Sequence, residues 1–66
     1  MSVAKIVEIS AESEESFEDA IRQGIKTAAK SLHGIKSAWV KDQQVLVKDN
    51  KITAYRVDLK VTFVLD

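Results

Sequence analysis

Apolar residues follow two different periods along the chain of 66 residues, and the changes of period divide it into four elements. Residues 3–10 are a β-branched run with apolar side chains on both faces, which predicts a strand. Residues 37–47 form a second extended region, in which the polar Asp42-Gln43-Gln44 is a candidate bulge. In the last strand, Tyr55 and every second residue up to Leu65 are apolar. Before it, Asp49-Asn50-Lys51 predicts a turn, with Asn50 suited to a positive φ.

An amphipathic helix is predicted between the first two strands. Apolar or small residues recur there at steps of three or four, namely Phe17, Ile21, Gly24, Ile25, Ala28, Leu32 and Ile35. Ser13 is the expected N-cap, and Gly34 is the expected left-handed residue that ends the helix. Gly24 lies on the apolar stripe, where it costs about 1 kcal/mol relative to alanine. We therefore expect the helix to approach the sheet closely at Gly24.

The predicted element order is β-α-β-β, which places the chain in the α+β class as one domain over residues 1–66. A single helical connection makes the first two strands parallel, so the last strand lies between them and runs antiparallel to both. The expected fold is a three-stranded antiparallel sheet with one helix packed on one face. The other face would expose Trp39, Ala4, Ile6 and Val64 among charged residues. We expect self-association through this face or through strand edges.

Composition and charge narrow the possible partners. A chain of this size is expected to bury only about 60% of its unfolded surface, and the absence of Cys excludes disulfides and thiolate zinc sites. Oligomerisation is the expected reinforcement. With 10 Lys and Arg against 10 Asp and Glu, a nucleic-acid partner is not expected. Residues 1–8 do not resemble a signal peptide, and no run of about 18 apolar residues is present, so a soluble cytoplasmic protein without a membrane partner is expected.

The residues that could carry chemistry do not form a catalytic constellation, and an enzyme is not expected. His33 is the only histidine and is attributed to the surface at the helix end. The acidic residues around the helix start are attributed to a solvated first turn rather than to a cation site. Trp39 could stack on a planar ligand or fill a subunit interface. Arg56, expected near Trp39 on the neighbouring strand, could bind an anionic or carbonyl-bearing ligand, or pair with Asp58 or with a glutamate of another subunit.

Four segments together resemble the dodecins, small flavin-binding proteins that assemble as hollow shells of twelve identical subunits. They are Lys5-Ile6-Val7-Glu8-Ile9, Ser13-Glu14-Glu15-Ser16-Phe17, Val40-Lys41-Asp42-Gln43 and Tyr55-Arg56-Val57-Asp58-Leu59-Lys60-Val61-Thr62-Phe63. The resemblance covers nearly the whole chain without a gap. It implies a non-catalytic protein that binds and stores a small ligand in a homododecamer.

The resemblance also implies a cofactor site. Flavin-binding dodecins place a tryptophan at the start of the second strand, where symmetry-related copies sandwich paired flavins, and a glutamine on the third strand at the ring edge. Ungapped matching puts Ser37 and Arg56 at these two positions. Asp42 matches the family's acidic residue beside the flavin side chain, and Trp39 lies two residues beyond Ser37 on the same strand face. The implied site for riboflavin or FMN is therefore Ser37, Trp39, Asp42 and Arg56.

A second resemblance, to a subgroup of dodecin-like proteins, suggests an alternative function. The stretch Ile35-Lys36-Ser37-Ala38 and the arginine after Tyr55 resemble proteins that lack the flavin tryptophan. A bound calcium ion, or an older label as a transport protein, is associated with that subgroup. The alternative is a structural or calcium-binding shell that has lost flavin binding, with no metal ligands assigned.

Overall fold

A computed structural model describes residues 3–65, so Met1, Ser2 and Asp66 lie outside the described residues. The elements are β1 (Ala4–Ser13), α1 (Phe17–Ala28), β2 (Ile35–Lys48) and β3 (Lys51–Val64). The strand order in the sheet is β1-β3-β2, and β3 pairs antiparallel with both neighbours. The predicted element order, the central last strand and the antiparallel sheet are all confirmed.

The predicted start of the helix is wrong. Strand β1 continues to Ser13. The N-cap is Ser16, which has an extended backbone conformation and precedes the first helical residue, Phe17. The amide of Asp19 donates to the Ser16 hydroxyl at 2.9 Å, which satisfies one of the free N–H groups of the first turn. Ser13 supports the same turn from the strand end, because its hydroxyl accepts from the amide of Glu15 and donates to the Asp19 carboxylate at 2.6 Å.

The predicted end of the helix is also wrong. The helix ends at Ala28 with Ala29 as C-cap, whereas Gly34, with a left-handed φ of 73°, lies in the connection to β2. Leu32 and Ile35 nevertheless pack against the core from that connection and from the start of β2. Their spacing from the helical residues therefore reflects burial of the side chains and does not mark a longer helix.

The hairpin between β2 and β3 confirms the predicted turn. Asp49 and Asn50 both have a positive φ, of 53° and 63°, as the central pair of a two-residue turn with a type I′ backbone requires. Lys48 and Lys51 are the register pair that flanks them. A register shift in β2 between Val40 and Asp42 makes Lys41 the extra residue, one position before the predicted bulge.

The core lies between the helix and the two strands β1 and β3. Its fully buried residues are Ala20 of the helix and Val57, Leu59 and Val61 of β3. A Cβ atom added to Gly24 would lie 3.0 Å from the Ala11 Cβ and 3.4 Å from a Leu59 methyl. The close approach expected at Gly24 is therefore confirmed, and it is made against β1 and β3.

The folded chain is long and exposes much apolar surface. Its extents are 51 × 19 × 14 Å and its radius of gyration is 13.5 Å, against about 11 Å for a compact chain of this length. Its accessible surface is 4948 Å², against about 4,200 Å² for a compact monomer of this mass. The helix contacts β1 and β3 but leaves part of β2 uncovered. Val40 and Val45, which lie on the helix side of β2, are each 37% exposed. Apolar surface is thus uncovered on both faces of the sheet. Within residues 3–65, no helix is long and apolar enough to cross a membrane.

Candidate functional site

The sheet face opposite α1, here called the open face, carries all four residues of the predicted site. Alternate residues of a strand share a face, so Val57, Leu59 and Val61 of β3 point to the helix and the residues between them point away. Arg56 therefore lies on the open face. The cross-strand partners there are Thr62 for Ser37, Lys60 for Trp39, Asp58 for Asp42 and Gln44 for Arg56.

The bulge at Lys41 decides that Asp42 belongs to this face. Trp39 and Asp42 are three residues apart, and in a regular strand two such residues point to opposite faces. Since Lys41 is an extra residue without a register partner, Asp42 lies opposite Asp58, one same-face position from the pair formed by Trp39 and Lys60. The bulge thus puts an indole and a carboxylate side by side on one strand.

Trp39 is the most exposed aromatic side chain of the open face, at 71%. The Lys60 Nζ lies 5.9 Å from the centroid of its ring, within the range of a cation–π contact. The adjacent register pair, Ser37 and Thr62, contributes two hydroxyl groups to the same end of the face. Sequence reasoning missed Lys60, whose position two residues after Asp58 on the polar side of the last strand was its only signal.

Arg56 does not lie near Trp39, and that expectation is wrong. Arg56 lies four residues from Lys60, the register partner of Trp39, along β3, which corresponds to about 13 Å. Its guanidinium instead pairs with Glu12 of β1, with Nε donating to a carboxylate oxygen at 2.7 Å and Nη2 donating to the same oxygen. Nη1 donates to the Gln44 side-chain oxygen at 3.5 Å. Glu12 is the direct register partner of Arg56, so the pairing falls within one chain.

Beside the Trp39 end, the open face has a polar depression of about 250 Å³. It is lined by Asp42, Gln43, Gln44, Arg56 and Asp58. Asp42 and Asp58 are direct cross-strand partners, an arrangement in which like charges are unfavourable. Among residues 3–65, neither carboxylate takes part in an ion pair. No three acidic, His or Cys side chains of the described residues converge into a group that could hold a metal ion.

Two ion pairs join β1 to the other strands across the open face. Lys41 reaches over β3 to Glu8 of β1, at 3.5 Å, and Arg56 is held by Glu12. Lys60, Asp42 and Asp58 have no ion-pair partner in residues 3–65. The face is consequently positive at the Trp39 end and negative in the depression, and it suits a ligand with acceptors at one end and hydroxyl donors at the other.

A small α+β protein with one sheet face packed against a helix and the other face open is the class that these observations define. The Dodecin family model matches residues 3–66. The chain therefore belongs to the dodecin family, whose members are non-enzymatic proteins that bind small ligands and form homo-oligomers. No curated protein matches the chain at a significant level.

Solved structures agree with this assignment. The dodecin from Streptomyces davaonensis is 31% identical, with a TM-score of 0.93 over 98% of this chain and 96% of its own. A T. thermophilus dodecin variant is 32% identical, with a TM-score of 0.93 over 100% and 98%. The calcium-chelating immunodominant antigen of Mycobacterium tuberculosis, a calcium dodecin, is 33% identical, with a TM-score of 0.85 over 98% and 93%.

Proposed function

We propose that this protein binds a flavin, riboflavin or FMN, and stores it in a closed homo-oligomeric shell without catalysing a reaction. The observation that carries the proposal is the 71% exposed indole of Trp39 beside a polar depression on the open face. An exposed tryptophan offers a large flat apolar surface that a planar ring can cover. The depression beside it offers hydrogen-bond partners for a polar substituent of that ring.

The side chains of the open face fit a flavin in the following roles. Trp39 stacks on the ring, and Ser37 leaves free space next to the indole. Asp42 accepts hydrogen bonds from the hydroxyls of the ribityl chain. Arg56 is held by Glu12 and Gln44 in the wall of the depression, so in this proposal it contacts the ribityl chain and no longer the ring edge.

Storage also requires other copies of the chain. A single subunit leaves the outer surface of a ring on Trp39 open to water, because no second layer covers the open face in residues 3–65. The elongated shape and the uncovered apolar residues supply surface for such contacts, including Ile6 at 58% exposure. A dodecamer of the 7.3 kDa chain would have a mass of about 88 kDa in sedimentation. A monomer would contradict the proposed shell.

Flavin fluorescence tests the binding proposal directly. Riboflavin or FMN titrated with purified protein should lose most of its emission through stacking, and Trp39→Ala should abolish the loss. Trp39→Phe keeps an aromatic face and should retain part of it. Lys26→Ala, an exposed change on the outer side of α1, serves as the matched control and should quench like the unchanged protein. Undiminished flavin emission at micromolar protein would refute flavin binding.

A second candidate function is a calcium-binding shell without flavin. The opposed carboxylates of Asp42 and Asp58, which have no ion-pair partner in residues 3–65, favour it, as does the similarity to a calcium dodecin. Calcium takes six to eight oxygen ligands, so carboxylates from several subunits would have to converge. The expected result is a calcium-dependent rise in melting temperature that magnesium does not reproduce and that Asp42→Asn removes. A melting temperature unaffected by calcium would exclude this function.

A further inference from the structure

We propose that the Asp42–Asp58 pair makes this protein selective for riboflavin over its phosphorylated form, FMN. The inference rests on the proposed flavin site and adds its specificity. It assigns a role to Asp58, which from the sequence alone was expected only as a possible ion-pair partner of Arg56.

The geometry places two uncompensated negative charges where the side chain of a flavin would end. Asp42 and Asp58 are direct cross-strand partners, a relation in which the Cβ atoms are typically about 5 Å apart. Both line the depression. Arg56 is the one cation among the residues that line it, and its charge is taken up by Glu12. The depression therefore keeps a net negative charge.

The charges of the open face also decide which way the ligand lies. Lys60, next to the Trp39 ring, is a donor that suits the carbonyl and nitrogen acceptors of a flavin ring. The Asp42–Asp58 pair is one same-face position away along β3, or about 7 Å, which a five-carbon ribityl chain can span. In the opposite direction the next same-face pair is Ser37 and Thr62, whose hydroxyls are uncharged, and Val64 follows it on β3. The carboxylates are the stronger acceptors for the ribityl hydroxyls. The ribityl chain therefore runs from Trp39 towards the two carboxylates.

Riboflavin and FMN differ at the far end of this chain. The terminal hydroxyl of riboflavin can donate a hydrogen bond to a carboxylate, and charge-assisted bonds of this kind are the stronger ones. The phosphate of FMN carries up to two negative charges and has no comparable donor to offer. Two carboxylates within several ångströms of it should weaken FMN binding about tenfold or more at low salt.

The test compares the two flavins in parallel titrations followed by flavin fluorescence. EDTA is present throughout, so that no divalent cation bridges phosphate and carboxylate. At low salt we expect the dissociation constant of FMN to be at least about tenfold higher than that of riboflavin. This ratio of dissociation constants should shrink at about 0.5 M salt, where the Debye length is roughly 4 Å. Asp58→Asn, which preserves shape and removes the charge, should shrink the ratio at low salt by strengthening FMN binding.

Glu14→Gln is the matched control, because it removes the same charge from an exposed position outside the sheet and should leave the ratio unchanged. FMN binding as tight as that of riboflavin would overturn the inference, since a cation must then neutralise the depression. A ratio that Asp58→Asn and Asp42→Asn both leave unchanged would also overturn it. If neither flavin binds, the proposed function fails, and the selectivity fails with it.

Discussion

Replacing Gly24 by alanine tests whether the close approach of α1 to the sheet holds this fold together. Two opposing effects act at this position. Alanine is favoured over glycine within a helix by about 1 kcal/mol. Against this, the new methyl group would lie 3.0 Å from the Ala11 Cβ and 3.4 Å from a Leu59 methyl, whereas carbon atoms pack best at about 3.5–4.0 Å.

The contact with Ala11 decides the sign of the effect. Its Cβ is attached directly to the β1 backbone and cannot rotate away, so the helix must lift from the sheet by several tenths of an ångström. Such overpacking typically costs about 1–3 kcal/mol. The core has few fully buried residues to share the displacement. After subtraction of the helix gain, we expect Gly24→Ala to destabilise the fold by about 1 kcal/mol.

Thermal unfolding followed by the fluorescence of Trp39, the only tryptophan, measures this difference. A loss of about 1 kcal/mol in a domain of this size lowers the melting temperature by about 4–8 °C. Protein concentration must be equal in all samples, because assembly makes the melting temperature concentration-dependent. Lys26→Ala, on the exposed side of the same helix, should stay within about 0.5 kcal/mol of the unchanged protein. A melting temperature of Gly24→Ala at or above that of the unchanged protein would refute the packing argument.

Two further substitutions test the local structure around the core. Ser16→Ala removes the N-cap acceptor of the Asp19 amide and should lower the free energy of unfolding in urea by about 1 kcal/mol; an unchanged value would mean that Ser13 alone supports the turn. Asn50→Val places a β-branched residue at a φ of 63° and should cost about 1–2 kcal/mol in the same assay, whereas Asn50→Gly should be tolerated. Equal stability of the valine and glycine variants would contradict the assigned turn.

An element was predictable from the sequence where its apolar pattern arises within that one strand or helix. In β3 the alternation from Tyr55 onwards indicates which side chains face the core, because burial on one face follows the period of the strand. The helix ends were not predictable in the same way. Leu32 and Ile35 continue the helical spacing while they pack on the core from outside the helix. Apolar periodicity therefore indicates burial, and in this chain the helix, the connection after it and the start of β2 all contribute apolar side chains to one core.

The candidate residues could be named from the sequence, but their neighbours in the fold could not. The shared face of Ser37 and Trp39 follows from alternation along one strand. The contact of Trp39 with Lys60 depends on the register between β2 and β3, which the bulges in β2 and the hairpin turn determine. The contact of Arg56 with Glu12 depends on the register between β1 and β3, which are far apart in the sequence. A single sequence does not contain that register.

The bulge at Lys41 offers a test in which chain length is held constant. Deletion of Lys41 removes the extra residue and should give a regular ladder with Asp42 still opposite Asp58. Deletion of Gln43 shortens β2 equally, but with the flanking pairs retained it makes Lys41 the partner of Asp58 and turns Asp42 towards Val57 and the core side.

We therefore expect the Lys41 deletion to retain the preference for riboflavin over FMN. The exposed ion pair with Glu8, at 3.5 Å, is lost in this deletion, but such pairs contribute at most about 1 kcal/mol. The Gln43 deletion should abolish the preference, because a lysine then neutralises Asp58 and the second carboxylate has left the depression. Parallel flavin titrations of the two deletions, with sedimentation to verify equal assembly, measure the difference. Equal riboflavin-to-FMN ratios in two equally assembled deletions would show that the bulge does not place the carboxylate that sets specificity.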